Sequence, residues 1–201
     1  MPSPETDSPP DWDPAIRQVS RGDEAAARGM VEALYPQLLR IVRSHLPRAA
    51  DEEDLMQEIF MKIFSKLDGY RREQPFSHWV ARIALNTCYD QLRRQRARPE
   101  FRFADLGEEE SRFIEETLSS SASNSGLEGP GRDGSEVVEK LLASLNPVEQ
   151  MVLRMLDMER KSVREIMDLT GWSPSKIKVA AMRGRRKLAD TLKRLERRAV
   201  T

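Results

Sequence analysis

Residues 51–64, DEEDLMQEIFMKIF, carry two patterns at once. Leu55, Met56, Ile59, Phe60, Ile63 and Phe64 recur at helical spacing and predict a helix over 51–67 with a broad stripe turned into a core. With that stripe inward, Asp54, Gln57, Glu58 and Met61 fall at i, i+3, i+4 and i+7 on a different face. An acid and amide patch beside an exposed methionine can grip a basic partner helix through charge-assisted hydrogen bonds, or it can simply solvate a helix. Asp68-Gly69-Tyr70 then breaks the pattern.

Working outward, Val31, Leu34, Leu38, Leu39, Ile41 and Val42 predict a helix over 24–46, with Asp23 as its cap and Pro47 as its stop. Pro36 allows either a kink or a split in it. Val80, Ile83, Ala84, Cys88 and Leu92 predict another helix over 76–96, ended by Pro99. Residues 1–14 hold five prolines and no apolar period, and read as a disordered tail. The run SSSASNSGLEGPGRDGS, 119–135, reads as flexible linker. Beyond it, helices are expected over 137–145, 147–158, 162–169 and 174–195. No stretch alternates with period two. The expected fold is all-α: a tail (1–14), a helical domain (15–98), an acidic Ser/Gly-rich linker (99–135) and a smaller helix-turn-helix domain (136–201).

The 201 residues contain 33 Lys+Arg and 33 Asp+Glu, two His and one Cys. One cysteine excludes an intrachain disulfide, and two distant histidines offer no metal cluster, so neither metal nor cofactor is expected. No window is long and apolar enough for membrane insertion, and the N-terminus lacks a secretion signal, so a cytoplasmic chain is expected. The zero net charge conceals segregation. Residues 82–98 hold five Arg against one Asp, residues 99–139 hold eleven acids against three Arg, and residues 176–198 hold ten bases against two acids. Two basic helices therefore flank an acidic connector, a distribution suited to two polyanion-binding surfaces or to solvated helix faces.

In the C-terminal unit a short helix meets a tight turn at Gly171, and Ser173-Pro174 starts a long one, which is the pattern of a helix-turn-helix. Ile177, Ala181, Gly184, Leu188, Leu192 and Leu195 form a ridge for docking. Lys176, Lys178, Arg183, Arg185, Arg186 and Lys187 project elsewhere, as a recognition helix or a solvated amphipathic helix requires. On the helix over 76–96, Arg82, Asn86, Tyr89 and Arg93 share an outward face, with Tyr70, Phe76 and Trp79 in or near the preceding turn. Rings that stack and an amide that reads a base edge suit unstacked bases, although residues such as Phe76 and Trp79 are more often core than base-stacking platforms. An enzyme using Asp51, Glu53, Asp54 and Glu58 lacks a neighbouring His, a metal site or a glycine-rich phosphate loop, so no catalytic residue is expected.

In order and content, DEEDLMQEIF, FSHWVARIALNTCYDQLRR and LNPVEQMVLRMLDMERKSVREIMDLTGWSPSKIKVAAMRGRRKL resemble the extracytoplasmic-function (ECF) group of bacterial sigma factors in the sigma-70 family. The first two are similar to the family's region 2 and the third to its region 4. The resemblance implies a promoter-specificity subunit without catalysis of its own, contacting core RNA polymerase at the β′ coiled coil through Asp54, Gln57, Glu58 and Met61, and at the β flap. It implies minus-ten DNA at Tyr70, Phe76, Trp79, Arg82, Asn86, Tyr89 and Arg93, with Asn86 beside a flipped base. It implies minus-thirty-five DNA at Lys176, Lys178, Arg183, Arg185 and Arg186, and control by an anti-sigma factor. Val179 and Ala180 depart from it, standing where many members carry a small polar residue and an arginine. A stand-alone helix-turn-helix repressor or activator, with 15–98 as a dimerisation or ligand module, is the alternative reading.

Overall fold

Asp23 accepts hydrogen bonds from the amides of Ala25 at 2.9 Å and Ala26 at 3.1 Å, and so caps α2, Glu24–His45. Pro36 sits inside this helix on its exposed side and does not split it. In this computed structural model, which describes residues 11–46, 52–97 and 132–199, α3 is Glu52–Lys66, followed by a 3-10 turn at Leu67–Gly69. The next helix, α4, is Phe76–Ala97, and it packs on both α2 and α3. No strand occurs among the described residues.

The end of the expected tail is helical. Asp13–Val19 form a helix, α1, with Pro14 in the first turn, where a missing N–H costs nothing. Ile16 is buried, and the Trp12 ring lies 5.2 Å from that of Phe76. Residues 1–10 of the expected tail, and 99–131 of the expected linker, lie outside the described residues. The remainder of that linker is already helical, because α5 spans Arg132–Ala143.

Capping residues set the C-terminal unit. Asn146 and Glu149 form a capping box that starts α6, Pro147–Leu153, and the chain widens into a π turn over Arg154–Met158. Ser162 and Glu165 form a second capping box at the head of α7, Val163–Thr170. Gly171 ends α7 at φ 74, a left-handed cap that a side chain would strain. Ser173 Oγ accepts from the Lys176 amide at 3.3 Å at the start of α8, Pro174–Ala199.

The two helical units meet along a seam where α4 packs against α6 and α7, and one continuous apolar cluster runs from Ile16 to Ala181. The seam contains charge. The Arg154 side chain is only 3% exposed, and its guanidinium donates to the Glu139 carboxylate of α5 and, at 3.2 Å, to the Ser44 carbonyl of α2. Next to it, His45 is buried, and its Nε2 stands 3.5 Å from Glu159 Oε1.

Burial pushes the His45 imidazole below its ordinary 6.5, and Arg154 and Lys161 push the same way against the opposing pull of Glu159 and the Ile41 carbonyl. The unfolded chain therefore binds this proton more readily than the folded one. The stabilisation is complete above 6.5 and declines as pH falls from there toward the lowered value. Urea unfolding between about pH 8 and about pH 5 should reveal a loss of stability on acidification that is reduced in His45→Asn. An unchanged acid slope in the variant would locate the titrating group elsewhere.

Candidate nucleic-acid interface

At about 100° per residue, the buried positions of α8 (Ile177, Ala180, Ala181, Gly184 and Thr191) define one side of the helix. Ala180, which lies off the ridge expected from spacing, is part of this inward side. Gly184 is there because an added Cβ would come within 3.0 Å of Leu153 Cδ1 on α6, so the two helices approach closely.

The basic residues of α8 are not equivalent. Arg185 donates to Asp157 at 2.6 and 3.2 Å, and the hydrogen bonds raise its pKa above the ordinary value. Lys187 Nζ donates to both oxygens of Glu149, at 3.0 and 2.8 Å, and this carboxylate is buried within α6. Lys176 lies 4.1 Å above the Trp172 ring, and desolvation lowers its pKa. Lys178, Arg183 and Arg186 are exposed and make no hydrogen bond or ion pair among the described residues. Of the expected upstream-DNA residues, therefore, these three present free cations, while Arg185 fastens α8 to the π turn.

The expected face of α4 is divided in a comparable way. Asn86 and Arg93 are exposed, with Arg93 4.0 Å from Asp90. Arg82 instead donates to the Asp168 carbonyl at 3.1 Å, occupying the negative end of α7, and an added Cβ on Gly171 would lie 3.4 Å from its guanidinium. The Tyr89 ring meets Trp172 edge-on at 5.6 Å. Phe76 is buried, 5.2 Å from Tyr70 and 5.6 Å from Trp79, in the small aromatic cluster that also receives Trp12. Tyr70 Oη donates to the Gln74 carbonyl at 2.7 Å, which fixes the turn before α4. A cleft of about 640 Å³ opens between that turn and the helix-turn-helix, with Gln74, His78, Arg82, Asp168 and Trp172 among its walls. Trp172 and Asp168 were not among the residues expected from sequence. Only the position of Trp172 in the helix-turn-helix turn pointed to it.

On α3 the structure brings the expected patch together on one side. Asp54, Gln57 and Met61 are exposed, Met61 to 67%, whereas Leu55, Met56, Ile59 and Ile63 are buried. Glu58 is held by Lys62 at 2.7 Å and by Arg94 of α4 at 2.9 Å. Partial burial pushes its pKa up, and the two cationic hydrogen bonds more than offset this, so the carboxyl sits below the usual range. Cys88 is buried on α4 with its thiol pushed up to about 12 by desolvation, which makes it an inert core residue.

An acid-faced helix, a mixed aromatic and basic helix and a helix-turn-helix with free cations thus stand together on one all-helical chain. Two family models match the chain: Sigma-70 region 2 over residues 30–98, and Sigma-70, region 4 over residues 135–188. The chain belongs to the sigma-70 family and to its ECF group. It is 32% identical over 84 residues to the ECF RNA polymerase sigma-E factor of Escherichia coli (strain K12), covering 42% of this chain and 44% of that protein. It is 28% identical over 81 residues to the ECF RNA polymerase sigma factor SigW of Bacillus subtilis (strain 168), covering 40% and 43%. The chain thus spans less than half the length of these relatives. A co-crystal structure of the sigma factor RpoE with the anti-sigma factor NepR from Bartonella quintana aligns with a TM-score of 0.50 at 18% identity, over 83% of this chain and 96% of that one.

Arg82→Ala should leave the Asp168 carbonyl without its cationic donor and loosen the seam by about 1.5–3 kcal/mol, the range for hydrogen bonds to charged groups. Faster amide exchange at the end of α7 and across residues 171–176, with α3 unaffected, would register that loosening. Exchange identical to the parent would mean that the contact does not hold the seam.

Proposed function

We propose that the chain is a promoter-specificity subunit: it joins core RNA polymerase and directs initiation at particular promoters, without catalysing a reaction. The observation that carries this reading is the presence, on one chain, of an exposed acid and amide patch on α3 and an unpaired cationic face on α8. The first suits a protein helix rich in bases, and the second suits the phosphates and base edges of duplex DNA.

In this reading Asp54, Gln57, Glu58 and Met61 dock the β′ coiled coil, and the C-terminal unit also reaches the β flap. Asn86, with Arg82, Tyr89 and Arg93, receives unpaired bases of the minus-ten element, beside the aromatic turn of Tyr70, Phe76 and Trp79. The α8 face meets the minus-thirty-five duplex. Because Arg82 and Tyr89 contact Asp168 and Trp172, capture of a base by that face requires the helix-turn-helix to move off α4. The chain works in the cytoplasm, where polymerase is, and an anti-sigma protein holds it inactive. No helix among the described residues is long and apolar enough to cross a membrane.

Run-off transcription with purified core polymerase tests the reading directly. The parent chain should yield a promoter-specific transcript that core polymerase alone does not produce. Asp54→Lys, an exposed change that leaves the apolar stripe intact, should abolish co-elution with core polymerase while preserving helicity. Asn86→Ala should keep polymerase binding but reduce permanganate reactivity at the minus-ten element and relax preference at one base. Tight, sequence-specific duplex binding without polymerase would favour a self-sufficient regulator instead.

A further inference from the structure

Two apolar side chains stand in the middle of the exposed face of α8, where a nucleic-acid surface would ordinarily be polar. Val179 is 41% exposed and Met182 60% exposed. Together with Lys178, Arg183 and Arg186 they fall within an arc of about 140° of the helix, opposite its buried side. Met182, Arg186 and Val179 occupy the centre of that arc, while Lys178 and Arg183 lie toward its edges. Arg185 and Lys187 sit at its borders, which is why they reach Asp157 and Glu149 instead.

The occupant of this face has to satisfy two requirements at once. Lys178, Arg183 and Arg186 lack acidic partners among the described residues, so it must be anionic. Val179 and Met182 offer no strong hydrogen-bonding group, so it must present something apolar between its charges. In the major groove of DNA, hydrogen-bonding groups line every base-pair edge, and the apolar feature is the C5-methyl group of thymine. Side chains at i and i+3 on a helix are about 5–6 Å apart, a separation that spans one or two base steps.

Resting on the proposed promoter function, we infer that Val179 and Met182 are specificity-determining residues that contact thymine methyl groups in the upstream promoter element. The flanking cations supply phosphate contacts that fix the helix in the groove. The upstream element of this chain therefore contains an A·T step at the centre of the α8 footprint, recognised by shape and apolar contact.

Substitution of deoxyuridine for thymidine isolates the contact, since uracil keeps every hydrogen-bonding group of thymine and loses only the methyl. A promoter is first selected from a random library with holoenzyme built from the full chain and core polymerase. Binding is then measured with each upstream thymidine replaced in turn. Replacement at one or two positions should weaken binding by the parent about fourfold, the order expected for one buried methyl group. In the double variant Val179→Ala, Met182→Ala the same replacements should have no effect, and the salt dependence should equal that of the parent. Lys178→Ala or Arg186→Ala should instead lower the salt slope and keep the uridine effect.

Parent holoenzyme indifferent to uridine at every upstream position, or a uridine effect undiminished in the double variant, would overturn the inference alone. A double variant that loses core polymerase rather than uridine sensitivity would make the patch a protein-docking surface and overturn it as well. Failure of the parent chain to form a promoter-selective holoenzyme would bring down the sigma reading and this inference together.

Discussion

Burying the guanidinium of Arg154 is the constraint around which the two halves of the chain are joined. A charge excluded from water has to be matched by acceptors in place, and removing one partner of such a group commonly costs about 3–5 kcal/mol. The acceptors here come from both sides of the seam: the Glu139 carboxylate on α5 and the Ser44 carbonyl near the end of α2. Ser44 lies in the last turn of α2, where helix carbonyls lack partners of their own, so the arginine also completes that helix. Next to it, His45 is desolvated by the same packing. Apolar contact between the units supplies area, but the Arg154 geometry fixes where that area can form.

That junction decides which surfaces stay available. With α6 and α7 against α4, Arg82 and Tyr89 are engaged by Asp168 and Trp172, while Asn86 remains exposed. The patch on α3 and the outer face of α8 lie away from the seam and are unaffected by it. Both surfaces are therefore open in this arrangement, whereas the α4 face opens fully only when contacts made by its own helix-turn-helix are broken. Each of those contacts is individually modest: a cation at a helix end, an edge-on ring pair, and Lys176 over the Tyr89 ring at 5.9 Å. Such an interface holds a resting arrangement that a larger binding energy can displace.

Where local chemistry determines structure, the sequence was readable. Asp23 and Ser173 announce helix starts from their own side chains, and Gly171 announces a stop because its φ of 74 favours glycine. The apolar periods of α2, α3 and α4 located the core face of each and, with it, the exposed patch at Asp54, Gln57 and Met61. Where distant partners decide, the sequence was silent. The prolines around α1 read as a tail because Trp12 and Ile16 gain their value only from packing on elements far along the chain, among them Phe76. The π turn at Arg154–Met158 falls inside the single helix expected over 147–158, because nothing in the residue pattern there marks a wider turn.

The charge run of α8 illustrates the same division at the candidate site. Sequence alone grouped Lys178, Arg183, Arg185 and Arg186 as bases on the polar side of an amphipathic helix. Tertiary structure distinguishes them, because Asp157 and Glu149, 28 and 38 positions from their partners, neutralise Arg185 and Lys187 at the borders of the exposed arc. Neutralising the borders has a consequence for recognition. It narrows the uncompensated positive charge to the strip that carries Val179 and Met182, so electrostatic attraction would draw a duplex onto the part of the helix proposed to read base pairs. On the proposed reading, affinity and selectivity are set by different residues on one face, and the acids that subtract from the basic surface also aim it.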